Sequence, residues 1–269
     1  AKVDFVDIDF STGLISVDEL EHKLIRAAKS NCLPKILVVV HFSGTSCDME
    51  QISLLCRQYN VHIIEDASHA LGGVYNSARI GSCEYSDISI FSFHPVKIIT
   101  SAEGGAITTN SPCLYKKLAL LRSHGITRTK DDLQRQSEGP WYYEQHLLGF
   151  NYRMNELQAA LGLSQLSRLD EIIVKRNALY DNYLSLLSSS AYSFLETPCN
   201  TVSSRHLAVV RLPKSLISFY KNFFLYLKSH GIGVQLHYLP IHLQPYYRKL
   251  GFAEGDFPMA ELHAKTSFS

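Results

Sequence analysis

Lys97 is an ammonium group placed within the apolar and aromatic stretch FSFHPVKIIT, residues 91–100. The preceding residues, DISIFSF, alternate like a half-buried β-strand, with Ser89 and Phe91 on the same side. Pro95 has no amide proton to donate, so this strand is predicted to end just before it. Lys97 should therefore lie on a turn at the end of a buried strand.

Two further polar groups are predicted at the ends of strands in the same part of the chain. Asp66 follows the apolar run VHIIE, and Ser92 ends DISIFS, five residues before Lys97. In an open α/β sheet, ligands bind outside the carboxyl ends of the strands. A lysine, a carboxylate and a hydroxyl that converge there describe a pyridoxal phosphate site. In such a site the lysine bonds to the aldehyde, the carboxylate keeps the pyridine nitrogen protonated, and the hydroxyl donates to the phosphate.

The elements that must position these groups alternate between strand and helix patterns. Strands are predicted at KILVVVH, which reads as buried, and at VHIIEDA, DISIFSF and GGAITTN. Helices are predicted at DMEQISLLCRQY, with Asp48 as the N-cap, and at SPCLYKKLALLRSH, where Pro112 suits the first turn. Strands separated by helical crossovers predict an α/β domain with a mostly parallel sheet.

The second half of the chain has a different pattern. Residues 127–148 are polar and irregular, and long loops of this kind are usually functional or disordered. Asn155 is predicted to begin a long amphipathic helix that runs to about Leu187, with Gln158 as its capping-box partner. The last predicted unit is the strand HLAVVRL, the helix SLISFYKNFFLYLKSHG closed by Gly231, and the strand IGVQLHY.

Composition narrows the possible classes of protein. A chain of 269 residues with 46% hydrophobic and 19% charged residues can bury a large core. Its net charge of +1, with no run of like charges, favours neither a nucleic acid nor a membrane as partner. The longest aliphatic run, ILVVV, is too short to cross a bilayer, and no signal peptide pattern is visible. Six cysteines without a C-x-x-C pair then indicate reduced thiols in a cytoplasmic protein.

Several motifs, taken together and in order, resemble the DegT/StrS family of nucleotide-sugar aminotransferases. These motifs are EDASHALGG, FSFHPVK with EGGAITTN, and GFNYRMNELQAALG. The segments RSHGITR, EGPWYYEQHLLGFNYRM and HYLPIHLQPYYRKLGF are similar to members of that family that act in pseudaminic-acid biosynthesis. The resemblance extends from about residue 1 to residue 260.

The resemblance implies an α/β, aspartate-aminotransferase-like fold (pyridoxal-phosphate fold type I). Its large domain, with a mostly parallel sheet, would cover residues 1–150, a long connecting helix residues 151–190, and a partial small α+β domain residues 191–269. It also implies a fragment shortened at both ends, without the N-terminal helix start whose amides bind the cofactor phosphate. Such a chain alone is expected to be inactive.

The resemblance also assigns residues to the site. Lys97 would be the Schiff-base lysine and proton shuttle, Asp66 the partner of the pyridinium nitrogen, and His69 a neighbour of the cofactor near its phenolic oxygen. Ser92 would bind the phosphate. Asn151, in the NYRM motif, would reach the phosphate of the neighbouring subunit's cofactor, which implies a homodimer with shared active sites.

Several other polar and aromatic residues are candidates for the site, and some of them have a structural alternative. His237 and Tyr238 resemble positions that help hold the nucleotide sugar. Arg153 either holds a carboxylate or phosphate through its bidentate fork or only anchors the long helix. No metal site is predicted, because no carboxylate or cysteine is regularly spaced with the histidines. The aromatic residues that are either sugar contacts or part of the core or an interface are Trp141, Tyr246 and Tyr247.

The reaction expected from the resemblance transfers an amino group from glutamate to C4 of a UDP-4-keto-6-deoxy-N-acetylhexosamine, releasing 2-oxoglutarate. A pyridoxal-phosphate sugar dehydratase of the same fold is disfavoured, because those relatives have histidine in place of Lys97. A non-catalytic regulator or an inactive gene fragment that retains the motifs is the other alternative.

One position departs from the family pattern. In TSAEGGA, Ala102 stands where the family usually has glycine. If the backbone there requires a positive φ, alanine introduces strain of about 1 kcal/mol.

Overall fold

The computed structural model describes residues 2–269. Helices are numbered α1 to α8 along the chain and have the bounds Val17–Lys29, Met49–Gln58, Pro112–Arg122, Glu156–Leu166, Leu169–Leu187, Tyr220–Ser229, Pro245–Arg248 and Pro258–Thr266. Strands are numbered β1 to β12 and have the bounds Ile36–Val40, His62–Asp66, Val74–Tyr75, Ala78–Arg79, Ile88–Ser92, Gly105–Thr108, Ile126–Thr127, Glu144–Gln145, Ser193–Phe194, Thr201–Val202, Val210–Arg211 and Ser267–Phe268.

The main sheet has four strands in the order β1-β2-β5-β6. The pairs β1–β2 and β2–β5 are parallel, and β6 is antiparallel to β5. The register aligns Val40 with Asp66 and Asp66 with Ile90, so three parallel strands end at one edge. The prediction of an α/β fold with a mostly parallel sheet is confirmed.

The two faces of this sheet have different surroundings. On β2, Ile63 and Glu65 are buried on the face that α2 covers. Ile52 and Cys56 of α2 belong to the same buried cluster as Ile63, with Leu20 and Leu24 of α1 and Val39 of β1. Because side chains alternate along a strand, Asp66 belongs to the opposite face from Glu65. The core therefore lies behind the face that carries Asp66.

The prediction that β1 is buried was wrong for one of its faces. Ile36, Val38 and Val40 are 52%, 53% and 47% exposed, whereas Val39 is fully buried. A run of aliphatic residues indicates a strand but does not tell which of its faces another element covers. On β5 the predicted alternation is confirmed, because Ser89 and Phe91 are buried and the strand ends at Ser92.

The helix predicted from Asn155 to about Leu187 is two helices. Asn155 and Gln158 form the predicted capping box at the start of α4. The chain then turns at Ser167 and Arg168, and α5 continues to Leu187. The N-caps and first turns predicted at Asp48 and Pro112 are also present.

The C-terminal part has less regular strand structure than predicted. HLAVVRL forms only the two residues of β11, and IGVQLHY forms no strand, although Gln235 exchanges two backbone hydrogen bonds with Ser269. The helix α6 is preceded by a 3₁₀ helix over Lys214–Phe219 and is followed by Gly231 at φ +75°. Leu212, Val234 and Phe268 form a small core of their own.

The segment predicted as irregular, residues 127–148, is organised around one carboxylate. Glu144 accepts hydrogen bonds from the backbone amides of Gln134 and Arg135, from the Tyr142 hydroxyl and from His146 Nε2. The short strands β7 and β8 pair at its base. The loop therefore has a defined conformation.

The N-terminal residues lie against the C-terminal part of the chain. Asp7 accepts hydrogen bonds from the amides of Met259 and Ala260 at the start of α8. Phe5 packs against the rings of Tyr247, Phe252 and Phe257. The domain boundaries predicted at 150 and 190 stay predictions. No helix within residues 2–269 has the length and apolar character needed to cross a membrane.

Candidate active site at the strand ends

Asp66 and Ser92 end two adjacent parallel strands, so they lie at the same edge of the main sheet. The Ala67 amide donates to the Ile90 carbonyl at 2.9 Å, and the His41 amide donates to the Asp66 carbonyl at 3.1 Å. The ends of β1, β2 and β5 are thereby held together beyond the last ladder pair. Asp66 Oδ1 accepts the Ser68 amide at 3.0 Å, which orients the carboxylate.

Lys97 lies on the predicted turn after β5. Its amide donates to the His94 carbonyl at 2.9 Å, and the Ser101 amide returns to the Phe93 carbonyl at 3.0 Å. Ile98 and Ile99, 5% and 2% exposed, anchor the turn in a buried cluster. The backbone beside Lys97 is therefore fixed.

Lys97 is partly buried, which affects the ionisation of its amine. Burial lowers the pKa of Lys97, and the charge of Asp66 opposes this shift in part. Within residues 2–269, neither Asp66 nor Lys97 forms an ion pair with N···O within 4.0 Å. At this edge of the sheet, Asp66 is therefore a carboxylate without an ion pair within residues 2–269, and Lys97 is a partly buried amine.

His69 and Tyr238 lie together at this edge. His69 Nε2 lies 3.5 Å from the Tyr238 hydroxyl, at the limit of hydrogen bonding, and the Phe42 ring lies 6.1 Å and 6.4 Å from their respective rings. Burial and the charge of Lys97 lower the pKa of His69 to about 4. His69 is 7% exposed and Tyr238 is 53% exposed, so the pair extends from the interior to the surface.

His237 is half-buried beside Tyr238. Its Nδ1 lies 2.5 Å from Ser269 Oγ, and its carbonyl lies 3.2 Å from His263 Nε2. Burial, followed by the charge of Lys97, lowers the pKa of His237. The structure therefore brings Asp66, His69, Lys97, His237 and Tyr238 into one group.

Other predicted residues lie apart from this group. Asn151 and Arg153 are exposed, and no hydrogen bond, ion pair or ring contact links either side chain to it. Asn151 instead forms an isolated backbone bridge with Ser123. Trp141 and Tyr246 are 70% and 67% exposed, whereas Tyr247 packs on Phe5.

In the turn after Lys97, Ala102 stands where the family usually has glycine, and its backbone has a positive φ. Ala102 has φ +66°, in the left-handed region that favours glycine. Its amide donates to Thr100 Oγ1 at 2.9 Å, which holds the residue there. The condition under which alanine is strained at this position is therefore met.

A buried polar cluster lies behind Asp66 on the covered face. Glu65 Oε2 lies 2.7 Å from His41 Nε2, and Glu65 Oε1 accepts the Ser89 hydroxyl at 2.9 Å and also the Ser86 hydroxyl. The Cys47 amide donates to His41 Nδ1 at 3.2 Å, which leaves the ring proton on Nε2, facing Glu65. This cluster is complete without any ligand.

The strand edge, in contrast, offers groups for a ligand. His69 Nδ1 is buried with no hydrogen-bond partner within residues 2–269, and Asp66 and Lys97 have no ionic partner there. These groups match a planar ligand in three ways: the carboxylate of Asp66 suits a basic ring nitrogen, the amine of Lys97 suits an aldehyde, and the hydroxyl of Ser92 suits an anionic group. The residues present therefore fit pyridoxal phosphate. Within residues 2–269, no group of three histidine, cysteine, aspartate or glutamate side chains is arranged to hold a metal ion.

Sequence reasoning did not identify His206 or Phe42 as parts of this region. The His206 ring lies 4.4 Å from the His69 ring, and Phe42 lies beside His69 and Tyr238. The pattern HLAVVRL predicts only that His206 begins a strand. The one available signal was a histidine before an apolar run, which also occurs in ordinary strands.

Comparison with known proteins gives a consistent assignment. A model of the DegT/DnrJ/EryC1/StrS aminotransferase family matches residues 1–269. The chain is 38% identical over 251 residues to the UDP-4-amino-4,6-dideoxy-N-acetyl-beta-L-altrosamine transaminase of Campylobacter jejuni, in an alignment that covers 93% of this chain and 63% of that protein.

Solved structures share the architecture. Helicobacter pylori PseC, described as an aminotransferase involved in the biosynthesis of pseudoaminic acid, superposes with a TM-score of 0.88 at 31% identity, over 99% of this chain and 67% of that one. The PLP-form of Spr1654 from Streptococcus pneumoniae superposes with a TM-score of 0.85 at 27% identity, over 100% and 69% of the two chains. The present chain spans less than two thirds of the Campylobacter protein and about two thirds of each solved chain.

Proposed function

This chain belongs to the DegT/DnrJ/EryC1/StrS aminotransferase family, and from that premise we propose that it binds pyridoxal 5'-phosphate and transfers an amino group from glutamate to C4 of a UDP-4-keto-6-deoxy-N-acetylhexosamine. The observation that carries the proposal is that the partly buried Lys97 lies beside Asp66, a strand-end carboxylate with no ion pair within residues 2–269. The names of the Campylobacter and Helicobacter relatives support the substrate class.

Four residues would hold the cofactor. Asp66 would face the pyridine nitrogen, Ser92 would donate its hydroxyl to the phosphate, and His69 would lie against the ring near its phenolic oxygen. Lys97 would provide the amine. When bound, the cofactor supplies an aldehyde for amines and an electron-withdrawing ring that stabilises negative charge on the carbon next to the amine.

Lys97 is the proposed proton carrier. Its lowered pKa makes the neutral amine more available near neutral pH than that of an exposed lysine. A neutral Nζ can take the proton from the α-carbon of glutamate and return it at a second position. The negative charge of Asp66 would keep the ring nitrogen protonated throughout.

We assign the nucleotide sugar to the exposed side of the group. Tyr238 joins His69 to the surface, and His237 is held beside it by Ser269. These two residues can orient hydroxyl and phosphate oxygens next to Lys97. Both reactants are small molecules of the cytoplasm, so we place the reaction there.

We further propose a homodimer in which Asn151 acts at the partner's site, and we propose that Arg153 binds substrate. The support is the uncovered apolar surface around them: Leu148, Phe150 and Tyr152 are 89%, 54% and 71% exposed. In the helix that follows, Leu157 and Leu163 are 84% and 68% exposed. Exposed apolar patches of this kind mark protein interfaces.

The cofactor and donor are tested with the purified product of the whole gene, which is the parent protein in every experiment below. Titration with pyridoxal phosphate should give a protein-bound absorbance band, and glutamate should convert the bound cofactor to its amine form. The UDP-4-keto sugar should reverse that conversion, whereas the UDP-N-acetylhexosamine without the keto group should not. A protein that binds no cofactor, or that converts it equally with the control sugar, would contradict the proposal.

Sharing of the site is tested by mixing two variants. Lys97→Ala and Asn151→Ala are each expected to lack cofactor binding or hold it weakly. If Asn151 acts at the partner's site, a hybrid dimer has one site with both changes and one site with neither. Mixing should therefore restore the absorbance band at about one site in each hybrid dimer, and absence of recovery would place Asn151 in its own subunit's site or outside both.

A further inference from the structure

His206 has no role in the proposed mechanism, yet its ring is in contact with that of His69. The two ring centroids are 4.4 Å apart, at an interplanar angle of 44°. Nδ1 of each ring is buried and has no hydrogen-bond partner within residues 2–269. A protonated imidazole needs an acceptor for each of its two N–H groups. The contact therefore suits two neutral rings.

The backbone fixes where His206 lies. Its amide donates to the Ser43 carbonyl at 2.9 Å, and the Ser204 amide donates to the Gly44 carbonyl at 2.9 Å. The buried Ser204 hydroxyl also donates to the His69 carbonyl at 2.9 Å. A Cβ on Gly44 would lie 2.6 Å from Ser204 Oγ and 2.9 Å from the His206 nitrogen, so only glycine permits this approach. The chain is thus built to bring His206 against His69.

We propose that His206 is a positioning residue that seals the buried side of the His69 ring and keeps that ring uncharged beside Asp66 and Lys97. The inference deepens the proposed function and rests on it for its purpose. A cationic His69, three residues from Asp66, would pair with that carboxylate and compete with a cationic ring nitrogen of the ligand. With His69 neutral, the negative charge of Asp66 stays available.

The charged groups around the two rings are consistent with this role. His69 faces Asp66, Lys97, His237 and Tyr238, and of these only Asp66 favours its cation. Burial, followed by the charge of Lys97, lowers the pKa of His69 to about 4.

His206 is surrounded in the same way. It faces His69, Lys97, Arg176 and His237, each of which disfavours its cation. Burial, followed by the influence of these four groups, lowers the pKa of His206 to about 3.

Ring titration by NMR tests the proposal without any cofactor. Histidine side-chain nitrogen shifts would be followed from about pH 8 to about pH 4.5 in the parent, His206→Ala and His206→Phe, with His69→Gln used to assign the His69 signals. We expect His69 to stay largely neutral over this range in the parent and in His206→Phe, which retains a buried ring. In His206→Ala, water reaches the ring, and the midpoint of His69 should rise by about one pH unit or more.

Three results would overturn the proposal: a parent His69 that titrates near its ordinary value, an unchanged His69 in His206→Ala, or an equal rise in His206→Phe. The first needs no variant, so a failure of His206→Ala to fold leaves the test intact. Cofactor titration gives a separate readout, in which His206→Ala should lose more affinity than His206→Phe as the pH falls from about 6 to about 4.5. If no variant and no parent binds the cofactor, the proposed function fails while the NMR result still decides the role of His206.

Discussion

Glu65 and Asp66 are adjacent carboxylates on one strand whose surroundings are opposite. Glu65 points to the covered face and accepts hydrogen bonds from His41, Ser86 and Ser89. Asp66 points to the other face and accepts one backbone amide, with no ion pair within residues 2–269. Because side chains alternate along a strand, the neighbouring residues Glu65 and Asp66 face opposite sides of the sheet, and only Glu65 accepts hydrogen bonds from several side chains.

We propose that this difference distinguishes a structural carboxylate, Glu65, from a functional one, Asp66. Burial alone would raise the pKa of Glu65, but the hydrogen bonds from His41, Ser86 and Ser89 outweigh it and the pKa is lowered. On the other face, the pKa of Lys97 is lowered, and Nδ1 of His69 has no hydrogen-bond partner within residues 2–269. These groups therefore have polar atoms that the protein does not pair. Loss of a group on the first face should affect folding, and loss on the second should affect chemistry.

The largest effect is expected from Lys97→Ala. Borohydride treatment of the parent with pyridoxal phosphate should fix the cofactor on Lys97, detected by mass spectrometry of the peptide, and Lys97→Ala should give no such adduct. Lys97→Arg should fail as well, because a guanidinium stays protonated. The free energy of unfolding should change by less than about 0.5 kcal/mol.

A matched control for this change is Lys117→Ala, which removes an exposed lysine. The control should retain the full adduct. An adduct that survives in Lys97→Ala would show that a different amine reacts, and the proposed role of Lys97 would then be wrong.

The next largest effect separates the two carboxylates directly. Glu65→Gln and Asp66→Asn each remove one charge and preserve shape. Because hydrogen bonds to a charged group are each worth about 1.5–3 kcal/mol, Glu65→Gln should lower the free energy of unfolding by about 2–4 kcal/mol. Asp66→Asn should change it by less than about 0.5 kcal/mol but weaken cofactor binding. Urea denaturation and cofactor titration measure the two quantities, and equal losses of stability would refute the distinction.

Much of the functional face could be predicted from the sequence. Asp66, Ser92 and Lys97 follow local strand patterns and a proline, so their placement at one sheet edge needed only the rule for parallel strands. The family and the aminotransferase fold predicted from the motifs were confirmed. The roles of the individual residues stay predictions.

Other features depend on contacts that no local pattern contains. The position of His206 is set by Gly44 and Ser204, which lie 160 residues apart. The break between α4 and α5 at Ser167 lies within a continuous helical pattern. The exposure of Val38 depends on what covers the sheet, which the continuous aliphatic run of β1 cannot reveal.

Acid should weaken the two faces in different pH ranges. His69 has a pKa of about 4 when folded against an ordinary 6.5, so between these values the unfolded chain binds more protons and stability falls as the pH drops from about 6.5 toward about 4. The folded pKa of Glu65 lies below its ordinary 4.5, so the stability from Glu65 is present above that pH and is lost below it. Urea denaturation between about pH 7 and about pH 3.5 should show that His69→Gln reduces the slope only in the upper range and Glu65→Gln only in the lower. Identical profiles for the two variants would contradict these assignments.

The smallest expected effect concerns backbone strain in the turn that leads from Lys97 to β6. Ala102 is held at φ +66°, where glycine is favoured over alanine, so Ala102→Gly should relieve strain and raise the free energy of unfolding by about 0.5–1 kcal/mol. Ala106→Gly is the matched control: it makes the same chemical change within β6, where glycine should instead lower stability by about 0.5–1 kcal/mol. Neither variant removes a side chain that contacts the strand-end group, so both should still form the borohydride-fixed adduct. A loss of stability in Ala102→Gly as large as that in Ala106→Gly would mean that the positive φ at Ala102 is not a source of strain.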